Sequence, residues 1–252
     1  MMYQLKDFSD GQCSAEIIDK ADLTVRIRGN SYSDLFKAAS IKEAWDYSQR
    51  DQAPRNSTLE ILCLISQRSD RRFAPNESFD LKIVSDFINR MHFSKVRIFH
   101  PHSAVSLALI NNSETIDHLP YVAKAYLDSG RPLLISPDAG AYKELHRIAQ
   151  QLQADLLPAN KVRVNGQPEI LLQGELLNRN CLIVDDIADG GRTFMALAEK
   201  LKSLGAPKVF LYVSHAMFHH GLDAIKPHID GIYCTNSYRD WDDPLIKQYA
   251  MI

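Results

Sequence analysis

Short apolar runs alternate along this chain with stretches whose apolar positions recur every three or four residues. LEILCLI (59–65), KVRIFH (95–100), PLLISPD (132–138), NCLIVDD (180–186), KVFLYVSHA (208–216) and DGIYCTN (230–236) predict strands. Between them, FDLKIVSDFINRM (79–91) puts Leu81, Val84, Phe87, Ile88 and Met91 on one helix face. Residues 121–130, 141–153 and 194–205 predict further helices, with Gly130 and Gly205 as stops. Strands alternating with helices imply an α/β fold whose mainly parallel sheets carry helices on both faces. NNSETIDHLP (111–120) is polar and reads as a loop. The expected domains are therefore 1–112 and 113–236, with the tail 237–252 joining the first. Residues 158–174, PANKVRVNGQPEILLQG, are polar with two prolines and two glycines, and read as an exposed hairpin or a mobile flap.

The 252 residues are 45% hydrophobic and 24% charged, with a formal charge of -2. That is the profile of an ordinary soluble globular protein. It lacks the basic excess that nucleic-acid binding requires, so any phosphate must be held by local groups. Cys13, Cys63, Cys181 and Cys234 are widely spaced without a CxxC pair, which argues against zinc and against a disulfide framework. Cys181 opens a buried-looking strand, as suits a reducing cytoplasm. The start MMYQLKDFSDGQ has no signal-peptide core, and no apolar run approaches the ~20 residues of a membrane helix. A cytoplasmic protein with no membrane partner is expected.

The chemistry concentrates in CLIVDDIADGGRTFMAL (181–197). In a parallel sheet, ligands collect at the carboxyl ends of strands. Asp185 and Asp186 sit at such an end, where carboxylates can accept bonds from vicinal sugar hydroxyls or hold a hydrated divalent cation. The next turn, from Asp189 through Gly190, Gly191, Arg192 and Thr193, lets backbone approach a ligand. Its amides and the following helix start suit a phosphate. Acids for a ribose thus adjoin amides for its 5-phosphate. The bland alternative is a buried strand ending in an acidic turn. Neither a GxxxxGK[ST] loop nor GxGxxG is present.

VDDIADGGRT resembles the ribose-phosphate motif of type I phosphoribosyltransferases and of ribose-phosphate pyrophosphokinases (PRPP synthetases). Other segments resemble the pyrophosphokinases: ISPDAGAYKELHRIAQQL (135–152), FSDGQ (8–12) for the adenine segment F-S-x-x-E, QRSDRR (67–72) for ARQD, IFHPHS (98–103) for D-L-H-S, and NKVR (160–163) for the flap's Lys-x-Arg pair. The resemblance implies two phosphoribosyltransferase-like domains, the first truncated. It implies transfer of the βγ-diphosphate of ATP to the C1 hydroxyl of a ribose 5-phosphate unit with release of AMP, ATP as co-substrate and Mg²⁺ as cofactor. It places Asp185 and Asp186 on the ribose hydroxyls, Asp189 to Thr193 on the 5-phosphate, and Asp138 on Mg²⁺. His102 falls near the ATP phosphates or the metal. Lys161 and Arg163 become the catalytic cations of the flap. Phe8 stacks on adenine with Asp10 and Gln12 at its edge, and Arg68 contacts ATP phosphates beside Asp70. His215, His219 and His220 read as structural or surface residues rather than a metal cluster.

The chain also departs from that family. Only seven residues precede the adenine segment, so the family's opening strand and helix are not expected here, His100 replaces the acid of D-L-H, Gln12 replaces a Glu, and Arg192 occupies a position the family gives to a small residue. These changes resemble a compact phage group that pyrophosphorylates ADP-ribose in rebuilding NAD. The acceptor is therefore ADP-ribose or ribose 5-phosphate, the latter giving PRPP for nucleotide biosynthesis. The expected assembly is a homo-oligomer, at least a dimer. A phosphoribosyltransferase that consumes PRPP and a non-catalytic PRPP synthetase-like regulatory subunit are the rival readings.

Overall fold

The computed structural model describes residues 2–19, 21–50, 55–164 and 167–251, without the side chains of 161–169. The chain divides between Asp117 and His118 into two compact units, a few residues past the expected 112/113 boundary. Among the described residues, no helix is long and apolar enough to cross a membrane.

The first unit opens with an antiparallel hairpin, β1 (Tyr3–Asp7) and β2 (Cys13–Ile17). There follow β3 (Leu23–Ile27), α1 (Tyr32–Ser48), β4 (Ser57–Ile61), α2 (Asp80–Asn89), β5 (Lys95–Phe99), α3 (Ala104–Leu109) and β6 (Ser113–Ile116). The last four strands form a parallel sheet in chain order, β3-β4-β5-β6. Strand alternation turns Leu23, Val25, Leu59, Ile61, Val96 and Ile98 to one face. There they form a single core with Leu35, Ile41 and Trp45 of α1 and Leu81, Val84 and Ile88 of α2. Phe87, expected on that helix face, is 39% exposed. The stretch expected as a loop contains β6, because pairing with β5 and not composition makes SETI a strand. The helix α1 hid from periodicity because its pattern is inverted in places. Tyr32, Phe36 and Tyr47 are exposed, while Lys42 is buried against Asp46 (Nζ–Oδ1 2.6 Å).

The second unit contains α4 (Leu119–Asp128), β7 (Leu133–Ser136), α5 (Ala139–Leu152), β8 (Leu156–Val164), β9 (Gln167–Leu172), β10 (Cys181–Ala188), α6 (Arg192–Ser203), β11 (Val209–Ala216), β12 (Gly231–Thr235) and β13 (Ile246–Tyr249). Its sheet runs β13-β12-β11-β10-β7-β8-β9 and is parallel except for the β8–β9 pair. Both faces are covered. Cys181, Ile183, Val209 and Leu211 pack on α6, while Leu182, Val184 and Tyr212 pack on α4 and α5. Residues 158–174 include the antiparallel hairpin that their composition suggested. The tail 237–252, expected with the first domain, instead adds β13 to this sheet, in register with β12 from Ile246 to Tyr249.

Candidate active site

Sheet order creates the site. From β7 the chain crosses through α5 to β8 on one side, then returns through β10 on the other. Where connections diverge in this way, a crevice opens at the carboxyl ends of the two strands. β10 pairs with β7 only over Cys181–Ile183 but continues against β11 to Ala188, two residues beyond its expected end. Asp185 and Asp186 therefore stand on an overhang, half-buried, with no β7 partner. Asp138 follows β7 as the exposed N-cap of α5, its Oδ1 accepting from Ala141 N at 3.0 Å.

Electrostatically the crevice is strained. Burial pushes the Asp185 carboxyl well above the usual carboxylate range, and the charges of Asp186 and Asp138 push it further. The Asp186 amide, donating to Asp185 Oδ1 at 2.9 Å, opposes the shift without reversing it. The groups acting most on Asp185 are thus acids. An all-oxygen set of this kind suits a hard divalent cation or sugar hydroxyls, both of which relieve the repulsion.

Beside the acids, Asp189 leads into Gly190 and Gly191. Gly191 caps α6 at φ 74, a left-handed conformation that glycine adopts at little cost, and offers no side chain to accept the first-turn amides. Those amides, at Arg192, Thr193 and Phe194, form an anion cradle. Arg192 and Thr193 are exposed at its rim.

The cradle is braced from behind, which the sequence did not reveal. Met217 and Phe218 amides donate to Ala188 O at 2.9 and 3.1 Å. A Cβ placed on Gly191 would lie 3.9 Å from the Phe218 ring. Trp241 Nε1 donates to Ala216 O at 3.0 Å, and its ring meets Phe218 edge-on at 5.8 Å. Arg239 lies 3.6 Å over that indole. His219 Nε2 sits 3.9 Å from Asp189 Oδ1 and 3.4 Å from Tyr238 OH, with the two rings edge-to-face. His219 is therefore no isolated surface residue, and only folding across this distance in sequence reveals it. His215 is buried with Nδ1 2.9 Å from Ser237 Oγ, a structural role, while His220 is exposed.

The residues that the resemblance assigns to ATP lie in the first unit. Phe8, 43% exposed, begins the hairpin turn, with Phe8 N donating to Gln12 O (2.8 Å) and Gln12 N to Asp10 Oδ1 (3.1 Å). Lys37 Nζ ties this hairpin to α1 through Asp7 (3.0 Å). Arg68 and Asp70 follow β4, and His102 follows β5. Buried Gln67 links the two loops by accepting from His102 N at 3.1 Å. Burial raises the Asp70 carboxyl, but Ser103, Arg71 and the charge of His102 outweigh it and hold it below the ordinary value. Lys161 and Arg163 lie two apart in β8, opposite Ile170 and Pro168 of β9, and their side chains lie outside the described residues.

No family model matches the chain. It is 26% identical over 218 residues to the ribose-phosphate pyrophosphokinase of Mycoplasma genitalium, covering 80% of this chain but only 66% of that protein's length. To the protein of the same name from Pyrococcus furiosus it is 24% identical over 243 residues, covering 93% and 85%. Its fold superposes on the crystal structure of phosphoribosylpyrophosphate synthetase from Mycobacterium smegmatis at a TM-score of 0.78, with 15% identity across 99% of this chain and 86% of that one. The chain is thus similar in sequence to ribose-phosphate pyrophosphokinases and in fold to a phosphoribosylpyrophosphate synthetase. It shares the family's fold of two phosphoribosyltransferase-like α/β units. The pyrophosphokinases are enzymes, so the crevice between β7 and β10 is the place to look for chemistry.

Proposed function

We propose that this chain belongs to the ribose-phosphate pyrophosphokinase family and moves the βγ-diphosphate of ATP to the C1 hydroxyl of a ribose 5-phosphate unit. The reading rests on one juxtaposition: the repelling carboxylates of Asp185, Asp186 and Asp138 beside the open amides of α6. In the proposed reaction the C1 oxygen bonds to the β-phosphorus. The bond from that phosphorus to the α–β bridging oxygen breaks, AMP leaves, and the hydroxyl proton passes to solvent. Such transfers depend on positioning and charge neutralisation more than on covalent help.

Asp185 and Asp186 accept the ribose hydroxyls, and Asp189 to Thr193 hold the 5-phosphate. Asp138 offers the kind of oxygen ligand that Mg²⁺ prefers, and bound Mg²⁺ would neutralise phosphate charge. His102 is a poorer ligand for so hard an ion, and we assign it to the ATP phosphates with Arg68. Asp70 orients that pair of loops, Phe8 stacks on adenine, and Asp10 and Gln12 bond its edge. Lys161 and Arg163 reach in from the β8–β9 hairpin to stabilise charge on the transferring group and to exclude water.

Of the two acceptors we favour ADP-ribose. Its 5-phosphate is bridged to AMP, so it needs contacts beyond the cradle. Arg192 at the rim and the His219–Tyr238 ring pair beside Asp189 supply a cation and aromatic surface there. The test is direct: ATP and Mg²⁺ are incubated with either acceptor, and AMP and the diphosphorylated sugar are sought by mass spectrometry. Product from ADP-ribose but not from ribose 5-phosphate supports the finer reading. Product from ribose 5-phosphate alone restricts the function to PRPP synthesis, and absence of AMP with both overturns the reaction.

A further inference from the structure

In the second unit, residues 236–245 join β12 to β13 as a strap held down at several points. Gln248 of β13 clasps it: Nε2 donates to Arg239 O at 2.8 Å, and Oε1 accepts from Trp241 N at 3.1 Å. Lys226 Nζ holds Asp243 Oδ2 at 3.0 Å, and Trp241 Nε1 reaches Ala216 O at the end of β11. On this fixed loop the half-buried Arg239 sets its guanidinium 3.6 Å over the Trp241 indole, and its Nη2 donates to Phe218 O at 3.4 Å. Its Nε is buried and has no hydrogen-bond partner among the described residues. No acid among the described residues is paired with it: Asp240 accepts from Asn236 Nδ2 at 3.2 Å, and Asp243 is taken by Lys226. A guanidinium N–H held out of water without an acceptor costs free energy, and an anion nearby offsets that cost.

Two bridges connect this residue to the anion cradle. Phe218 gives its carbonyl to Arg239, while its amide bonds Ala188 O at 3.1 Å and its ring would lie 3.9 Å from a Cβ on Gly191. One residue along on each segment, Tyr238 OH meets His219 Nε2 at 3.4 Å, and His219 stands 3.9 Å from Asp189 Oδ1. The strap thus carries Tyr238 and Arg239 alongside Asp189–Gly191. We propose that Arg239 is a specificity-determining residue for the acceptor: it binds the second phosphate of a ribose 5-phosphate unit whose 5-phosphate is bridged to a nucleoside monophosphate. Free ribose 5-phosphate has no group for it. The inference rests on the reading that the crevice and the α6 amides hold a ribose 5-phosphate unit. Those amides serve one phosphate, and an adjoining one needs a further cation. Arg192 is exposed at the rim and loses rotamer freedom when it binds, whereas Arg239 is already fixed by the indole and by Phe218 O. Its planar set of N–H groups matches phosphate oxygens.

Calorimetric titration of the full chain with ADP-ribose and with ribose 5-phosphate, with Mg²⁺ but without ATP, reads binding apart from reaction. Wild type is expected to bind ADP-ribose the more tightly. Arg239→Gln should weaken ADP-ribose about tenfold or more, the scale of a lost charge-assisted hydrogen bond, and change ribose 5-phosphate by less than about twofold. A residue that only braces the strap on Trp241 would weaken both acceptors alike. That result overturns the proposal, as does an unchanged affinity for ADP-ribose. Should Arg239→Gln fail to fold by circular dichroism, Arg239→Lys keeps the charge and loses the planar fork. It is expected to weaken ADP-ribose a few-fold and to spare ribose 5-phosphate, and equal loss of both overturns the assignment. Wild type that binds ribose 5-phosphate but not ADP-ribose overturns the role of Arg239 and leaves the proposed transfer standing. Wild type that binds neither sinks both.

Discussion

Two buried or half-buried carboxylates, one in each unit, have opposite surroundings. Asp70 is buried yet held below the ordinary carboxylate value, because Ser103, Arg71 and His102 answer its charge from within the chain. Asp185 is pushed far above that value, because burial and two further acids act on it together. The first is an anion whose compensation is built in, suited to orienting loops. The second is a carboxyl whose negative charge no neighbour in the chain answers, so a ligand that brings hydroxyl donors or positive charge supplies what the fold withholds. Perturbation of this second kind, in a crevice, is what marks a functional site. The sheets repeat the contrast. In the second unit strand order reverses at β7 and opens a crevice, whereas in the first the strands run in sequence and the candidate groups depend on loops after β4 and β5.

The largest expected effect lies outside both acids. Lys161→Ala should lower turnover by at least about a hundredfold, the scale of losing a transition-state donor, while circular dichroism stays unchanged. A loss below about tenfold would remove the hairpin from the chemistry. Next, Asp185→Asn should weaken the sugar acceptor about tenfold or more and leave ATP nearly untouched, since a charge-assisted hydrogen bond is worth about 1.5–3 kcal/mol. Asp70→Asn should raise the KM for ATP and spare the acceptor. If either substitution weakens both substrates equally, the division of labour between the units fails.

Opposite shifts give opposite pH behaviour. With its folded pKa raised, Asp185 contributes stability that is full below the ordinary aspartate value and is lost as pH rises through the raised one. Asp70, with its pKa lowered, contributes stability above the ordinary value that is lost as pH falls through the lowered one. Thermal melts of ligand-free protein should therefore show Asp185→Asn matching wild type near pH 4 and exceeding it near pH 9. Each kcal/mol of relief is worth about 2–4 °C. Equal melting temperatures at pH 9 would mean that the acids of the crevice do not repel. The smallest effect is expected at the brace. His219→Ala should raise the acceptor KM a few-fold at unchanged kcat, and His219→Gln should recover most of it if a hydrogen bond to the Asp189 side is what matters.

Much of this was legible along the chain. Apolar runs located β7, β10, β11 and β12, because strands covered on both faces need uninterrupted hydrophobic residues, and alternation located β5. The acids and glycines of 185–193 stood out because few other needs put that set after an apolar run. What periodicity missed has a common cause. SETI of β6 and IKQY of β13 are short and polar, and become strands only when a neighbour supplies the hydrogen bonds. In α1, exposed aromatics and a buried Lys42 scramble the stripe that a helix normally shows.

Local pattern therefore determined the α/β class, most of the strands of the second unit, and the chemistry of the acid–glycine turn, since these follow from residue type and spacing alone. Tertiary structure alone decided that Asp138 and Asp185 share a crevice, that the tail belongs to the second sheet, that His219 reaches Asp189, and that Arg26, Glu60, Arg97 and Glu114 line up across the first sheet. Each of those depends on strand order and register, which bring together residues far apart in the chain. Spacing along the sequence carries no record of them.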